Sequence, residues 1–96
     1  MADEITQTER QFADAVIEYA ELCGWLVKRD PMYRATAASP GFPDLVLARK
    51  GQVIFAELKT EKGKLSQAQM CWGASIGDDW HLWRPSDWPE IEKVLR

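Results

Sequence analysis

The chain has 96 residues, 46% of them apolar and 28% charged, and a net charge of −3. That length allows one domain with one modest core, burying roughly 60–65% of the unfolded surface. The acidic balance argues against binding nucleic acid through bulk charge, although a local basic patch or a bound metal ion can reverse the field where it matters.

Thr6-x-x-Glu9 and Thr8-x-x-Gln11 each fit a capping box, so a first helix starts at one of them. Phe12, Ala13, Val16, Ile17, Ala20 and Cys23 recur at helical spacing as one stripe, and Gly24 is the natural stop. Glu9 lies one turn before Phe12 and Ala13 and faces the same side. It reads either as a capping carboxylate or as an acid at the rim of a site. Residues 25–29, Trp-Leu-Val-Lys-Arg, make a short strand that Asp30-Pro31 breaks. Residues 30–41 are too long a connection for a simple hairpin, and loops of this length are often functional.

Residues 45–48 and 53–58 are the two central strands, joined by a turn at Lys50-Gly51. Centring the pairing on that turn sets Ala48 opposite Val53, Val46 opposite Phe55 and Asp44 opposite Glu57. Lys59 joins the same face by the two-residue period. The other face carries Leu45, Leu47, Ile54, Ala56 and Leu58. Both faces are mostly apolar, which predicts a hairpin inside a sheet covered on both sides. A slip of one residue in register would separate Asp44 from Glu57.

The loop after Lys59 is basic, with Lys62 and Lys64. Ser66-x-x-Gln69 is a second capping box, opening a helix through Met70, Cys71, Trp72 and Ala74 to Gly77. Gln69 either only caps this helix or points back into a site beside the hairpin. Asp78-Asp79 is a turn, and residues 80–83 read as a fourth strand whose two tryptophans share a face. Asp87-x-x-Glu90, with Pro89 in the first turn, caps a last helix with Ile91, Val94 and Leu95 inward. His81, the one histidine, reads as structural, and Cys23 and Cys71 read as reduced core thiols because no zinc or disulfide spacing is present. Five tryptophans are many for so small a core, which points some of them to an interface. No apolar run reaches the about 18 residues of a membrane span and no secretory leader is visible, so a cytoplasmic protein is expected.

Two carboxylates facing each other across adjacent strands have Cβ atoms roughly 4.5–5.5 Å apart, a spacing that suits a shared divalent cation. The backbone carbonyl of Leu58, between Glu57 and Lys59, offers a further oxygen. Without a metal, one carboxyl of the pair should titrate high. Lys59 can then stabilise charge on a phosphate in the transition state. The competing reading is a solvated Asp–Glu–Lys ion cluster on a surface hairpin.

Pro43-Asp44 followed by Glu57-x-Lys59 resembles the PD-(D/E)XK nuclease motif. The wider pattern, Gly41-Phe42-Pro43-Asp44-Leu45, Glu57-Leu58-Lys59 and Ser66-x-x-Gln69, is similar to the virus-type replication-repair (VRR-NUC) branch of that superfamily. The resemblance implies an α/β fold with a restriction-endonuclease-like αβββαβ core, its central mixed sheet flanked by helices, in a single domain over residues 1–96. It also implies a Mg²⁺- or Mn²⁺-dependent nuclease in which Asp44 and Glu57 bind metal, Lys59 is the catalytic lysine, Glu9 holds metal-bound water and Gln69 follows the site. A homodimer acting on branched or junction DNA is expected on the same ground. DNA contacts are expected from Lys28, Arg29, Arg34, Lys62 and Lys64. These are phosphate contacts that position the duplex, and no recognition helix is apparent, so the selection is for DNA structure over sequence. The alternative is a non-catalytic DNA-binding or protein-interaction module on the same fold.

Overall fold

The structure is a computed structural model that describes residues 8–30 and 40–96. In chain order it runs α1 (Glu9–Leu22), β1 (Leu26–Arg29), β2 (Leu45–Arg49), β3 (Gln52–Leu58), α2 (Gln67–Ile76), a 3₁₀ turn (Gly77–Asp79), β4 (Trp80–Trp83), a second 3₁₀ turn (Pro85–Asp87) and α3 (Trp88–Leu95). The strands form one mixed sheet in the order β1-β2-β3-β4. The first three are antiparallel neighbours, and β4 runs parallel to β3 after the α2 crossover.

The Thr8 box starts α1, with Gln11 N–H donating to the Thr8 hydroxyl and Thr8 N–H donating to Gln11 Oε1, both at 3.0 Å. Lys50 and Gly51 both take positive φ, at 52° and 84°. That is the demand of a two-residue turn matched to the strand twist, and it sets Arg49 against Gln52, Ala48 against Val53 and Val46 against Phe55. The expected register therefore holds along the whole β2–β3 ladder.

Leu45, Leu47, Ile54, Ala56 and Leu58 line one sheet face and are all buried. Phe12, Ala13, Val16 and Ala20 of α1 and Ile91 and Leu95 of α3 cover them, with Trp25 and Trp83 completing the core. Arg49 closes the end of this layer. Its guanidinium lies 4.4 Å over the Trp25 ring and donates to the carbonyls of Cys23 (2.8 Å), Leu95 (3.1 Å) and Arg96 (3.2 Å).

The opposite face is covered less completely than its apolar pattern predicts. Phe42 stands edge-on between Phe55 and Trp72, with ring centroids 6.2 and 5.0 Å away, and Trp80 packs flat against Gly73 of α2. Over β1 and the turn end of the hairpin this face is open, with Leu26 77% and Val53 41% exposed. The α2 helix is short and reaches only the β3–β4 side.

Two further expectations are corrected. Trp80 and Trp83 lie three residues apart in a strand, which puts them on opposite faces, Trp80 under α2 and Trp83 in the main core. Cys71 is exposed on α2 and is no core thiol, whereas Cys23 is half-buried. Of the five tryptophans, Trp25 and Trp83 are buried and Trp72, Trp80 and Trp88 half-buried, and among the described residues the exposed large apolar groups are Leu22, Leu26, Val53 and Met70. Among the described residues no helix is long and apolar enough to cross a membrane.

Gly41 fixes how the chain enters β2. Its φ is +83°, and a Cβ there would lie 2.4 Å from the Ala68 carbonyl carbon and 2.6 Å from Gln69 N, so its backbone lies flush on the first turn of α2. Gly51 has the same sign of φ but open space around it. Gly41→Ala should therefore cost roughly 2–5 kcal/mol, combining left-handed strain with overlap against backbone. Gly51→Ala should cost only the strain, about 1–2 kcal/mol. Urea unfolding midpoints of the two variants check the ratio.

Candidate active site

The expected polar residues meet where the carboxyl end of β3, the entry to β2 and the first turns of α1 and α2 come together. Asp44 sits one residue before β2, where the ladder stops, and its Oδ2 accepts from the Leu58 N–H at 2.8 Å. The side chain thereby replaces a backbone acceptor at the end of the sheet. Glu57 lies next to Leu58 on the other face and is only 1% exposed. Its Oε2 accepts from Gln69 Nε2 at 2.9 Å and lies 3.8 Å from Lys59 Nζ. Its Oε1 is buried with no partner.

Gln69 performs both of its proposed roles at once. Its Oε1 accepts from Ser66 N–H at 2.8 Å and its own N–H donates to the Ser66 hydroxyl at 3.1 Å, completing the capping box of α2. With the amide oxygen held there, the amide nitrogen is left to face Glu57. The helix cap and the site contact are two ends of one side chain.

Glu9 takes no part in the α1 box. It borders a narrow cleft shared with Arg29, Asp30, Asp44 and Leu58, and its charge adds to the field on Glu57. The sequence reading did not single out Asp30. Its N–H donates to the Asp44 carbonyl at 2.8 Å and its carboxylate disfavours ionisation of Asp44. Its position at the end of β1, just before Pro31, was the only signal for it.

The basic residues are placed less uniformly. Arg29 reaches the cleft but is paired at 3.1 Å with Asp14 of α1. Lys28 is exposed on the edge strand β1, and Lys62 and Lys64 are exposed on the loop beyond Lys59. Arg34 lies outside the described residues. His81 stands apart as a structural residue, its ring 5.4 Å from that of Trp83 and its pKa lowered by burial.

Burial is the largest influence on both acids. It pushes Glu57 up to about 8, with the Asp44 charge adding to the rise and Lys59 opposing it. Burial also raises Asp44, against the opposing effect of the Leu58 N–H, the Glu57 carboxyl and Lys59. The two carboxyls are close enough to share a hydrogen bond when one is protonated.

Among the described residues no group of three or more His, Cys, Asp or Glu side chains is arranged to hold a metal ion. The convergent oxygen donors are the Asp44 and Glu57 carboxylates. The unpartnered, buried Glu57 Oε1 fits a divalent cation that keeps several waters. The Leu58 carbonyl points to the same side of β3 as its N–H, towards Asp44, by strand geometry. A larger groove of about 670 Å³, bordered by Leu26, Ala48, Lys50 and Val53, lies at the far end of the hairpin and holds no acidic cluster. Comparison with known proteins finds no family model, no curated protein and no solved structure that matches this chain.

The raised Glu57 gives stability a direction in pH. Between the ordinary glutamate value of 4.5 and about 8, the unfolded chain releases this proton while the metal-free fold keeps it. Stability contributed here is thus complete below about 4.5 and is lost as pH rises through about 8. Thermal unfolding in chelator should show a midpoint falling across this window, and Glu57→Gln should flatten that fall.

Proposed function

We propose that this chain is a divalent-metal-dependent nuclease with a restriction-endonuclease-like core, hydrolysing phosphodiester bonds in DNA. The observation that carries this reading is the juxtaposition of Asp44, a nearly waterless Glu57 and Lys59 at the end of one hairpin. The order of elements and the sheet that presents them agree with it.

In this reading Asp44, Glu57 and the Leu58 carbonyl hold Mg²⁺ or Mn²⁺. Such an ion supplies Lewis acidity at a phosphate oxygen and makes a water acidic enough to attack. The protein's own groups do the rest. Lys59, 3.8 Å from Glu57, presents a positive charge to the phosphate as charge builds in the transition state. Gln69 holds Glu57 in one orientation through a nitrogen that cannot rotate away without breaking the α2 cap. Glu9 borders the cleft, and its role in this reading is to accept a hydrogen bond from water there. Lys62 and Lys64 lie on the loop beyond Lys59, where they can contact phosphates flanking the cut and position the strand.

Junction or branched DNA is the proposed substrate class, supported by the resemblance and by surface lysines without a groove-reading helix. A homodimer belongs to the same reading. Its structural support moves from the tryptophans to the exposed Leu22, Leu26 and Val53, and light scattering at high micromolar concentration checks it. Among the described residues no group of three or more His, Cys, Asp or Glu is arranged to hold a metal, and this favours the other reading, a non-catalytic module on this fold.

A panel of duplex, flap, fork and four-way-junction DNA with Mg²⁺ or Mn²⁺ separates the two. The wild-type protein should cut at least one branched substrate. Asp44→Ala should abolish cutting, and Lys59→Ala should lower it by about 10²–10³-fold. Failure of the wild type to cut any member, with no Mn²⁺ binding that depends on Asp44 and Glu57, would leave the non-catalytic reading in its place.

A further inference from the structure

We propose that Arg84 is a positioning residue for Lys59, acting through the loop that follows β3; the inference rests on the role given to Lys59 above. The two residues follow paired positions of parallel strands, since Leu58 pairs with Trp83 and Lys59 N–H donates to the Trp83 carbonyl at 3.0 Å. Beyond this point the ladder ends, and the chain turns back through residues 60–63, where Gly63 N–H donates to the Thr60 carbonyl at 3.2 Å.

A turn that tight leaves several carbonyls pointing inward, and backbone acceptors removed from water need donors. Arg84 supplies them. Its Nη1 lies 2.6 Å from the Thr60 oxygen, 2.7 Å from that of Gly63 and 3.2 Å from that of Glu61. Two hydrogens on one nitrogen are thus shared among three carbonyls, and bonds from a charged donor are the stronger kind. Asp87 holds Arg84 in turn, its Oδ2 accepting from Arg84 N–H at 2.9 Å. Glu61 fastens the same loop a second time, through the hydroxyl and the N–H of Ser86.

The loop held this way backs Lys59. A Cβ built on Gly63 would lie 3.3 Å from Lys59 Cδ and 3.1 Å from Thr60 Oγ1, so the bare Gly63 backbone is the wall along which the lysine stem runs. Only 17% of the Lys59 side chain is exposed, and its ammonium is aimed at Glu57. Release of the three carbonyls would free that wall. The stem would then sample rotamers that point its charge away from the site. Arg84→Lys keeps the charge, but its stem is one bond shorter, so its nitrogen falls short of the three carbonyls that Nη1 reaches.

The test uses the full chain and two readouts. The first is cleavage of saturating junction DNA by Arg84→Ala, alone and combined with Lys59→Met. Arg84→Ala should lower kcat by about 10- to 100-fold in the wild-type background, the scale of a misplaced catalytic group. In the Lys59→Met background it should change kcat less than about twofold, because a positioner has nothing left to position. Arg84→Lys should fail to restore the rate. The second readout is the pair of Lys59 Hε signals by NMR, distinct when the stem is held and merged when it is free. Arg84→Ala should merge them, and so should Arg84→Met, which keeps an apolar stem without the donor and serves if Arg84→Ala does not fold. Equal losses of kcat in both backgrounds, full rescue by Arg84→Lys, or Hε signals that stay distinct in a folded variant would overturn the proposal. Should the wild-type protein cut no DNA, the nuclease reading falls, while the Hε signals still decide whether Arg84 holds Lys59.

Discussion

Glu57 is the one charged or polar side chain fully buried among the described residues, and it ends in the same strand that supplies much of the core. A carboxylate taken out of water is costly unless its oxygens find donors or a cation. Here one oxygen has Gln69 and, farther off, Lys59, and the other has nothing. The surrounding structure can be read as what this placement requires. Helix α2 must dock so that its cap presents a nitrogen to Glu57. The stretch before β2 must lie against α2 so that Asp44 arrives beside it. The loop after β3 must fold back so that Lys59 reaches it.

Each of these requirements is met by a residue whose own chemistry looks unremarkable in isolation. Gly41 gives α2 a flush backbone to rest on, and Phe42 wedges between Phe55 and Trp72. Trp72 Nε1 adds a hydrogen bond to the Pro40 carbonyl at 3.1 Å. Asp44 is therefore positioned from both directions, by α2 through residues 40–43 and by β3 through the Leu58 N–H. The same helix covers only half of its sheet face, and that limited reach leaves the turn end of the hairpin open. The site end is tightly built and the far end is not.

The features legible in the sequence were those set by local chemistry. Lys50-Gly51 could make only a tight turn, and the turn fixed every cross-strand pair between it and the site. Thr8-x-x-Gln11 and Ser66-x-x-Gln69 were visible as caps because capping is a four-residue event. What escaped the sequence depended on partners far away along the chain. The pattern Ser66-x-x-Gln69 offers cap or site as alternatives, whereas the amide has two ends and uses both. Arg49 and Arg84 gave no signal, because backbone carbonyls are their main hydrogen-bonding partners and a carbonyl has no identity in a sequence. The two tryptophans of β4 do not share a face, because a spacing of three in a strand places them on opposite sides. The extent of α2 over the sheet was likewise invisible, since an apolar strand pattern reports that a face can be covered, not that it is.

The hydrogen bond at Leu58 has a consequence of a different kind. Along most of β3 the amide hydrogens are held by other strands, and their exchange with solvent follows the opening of the sheet. The Leu58 amide is held by a side chain instead. Its exchange rate is therefore tied to the charge and position of one carboxylate as well as to the fold. A single backbone proton, at the point where the sheet hands over to the site, records whether Asp44 is in place and what it is bound to.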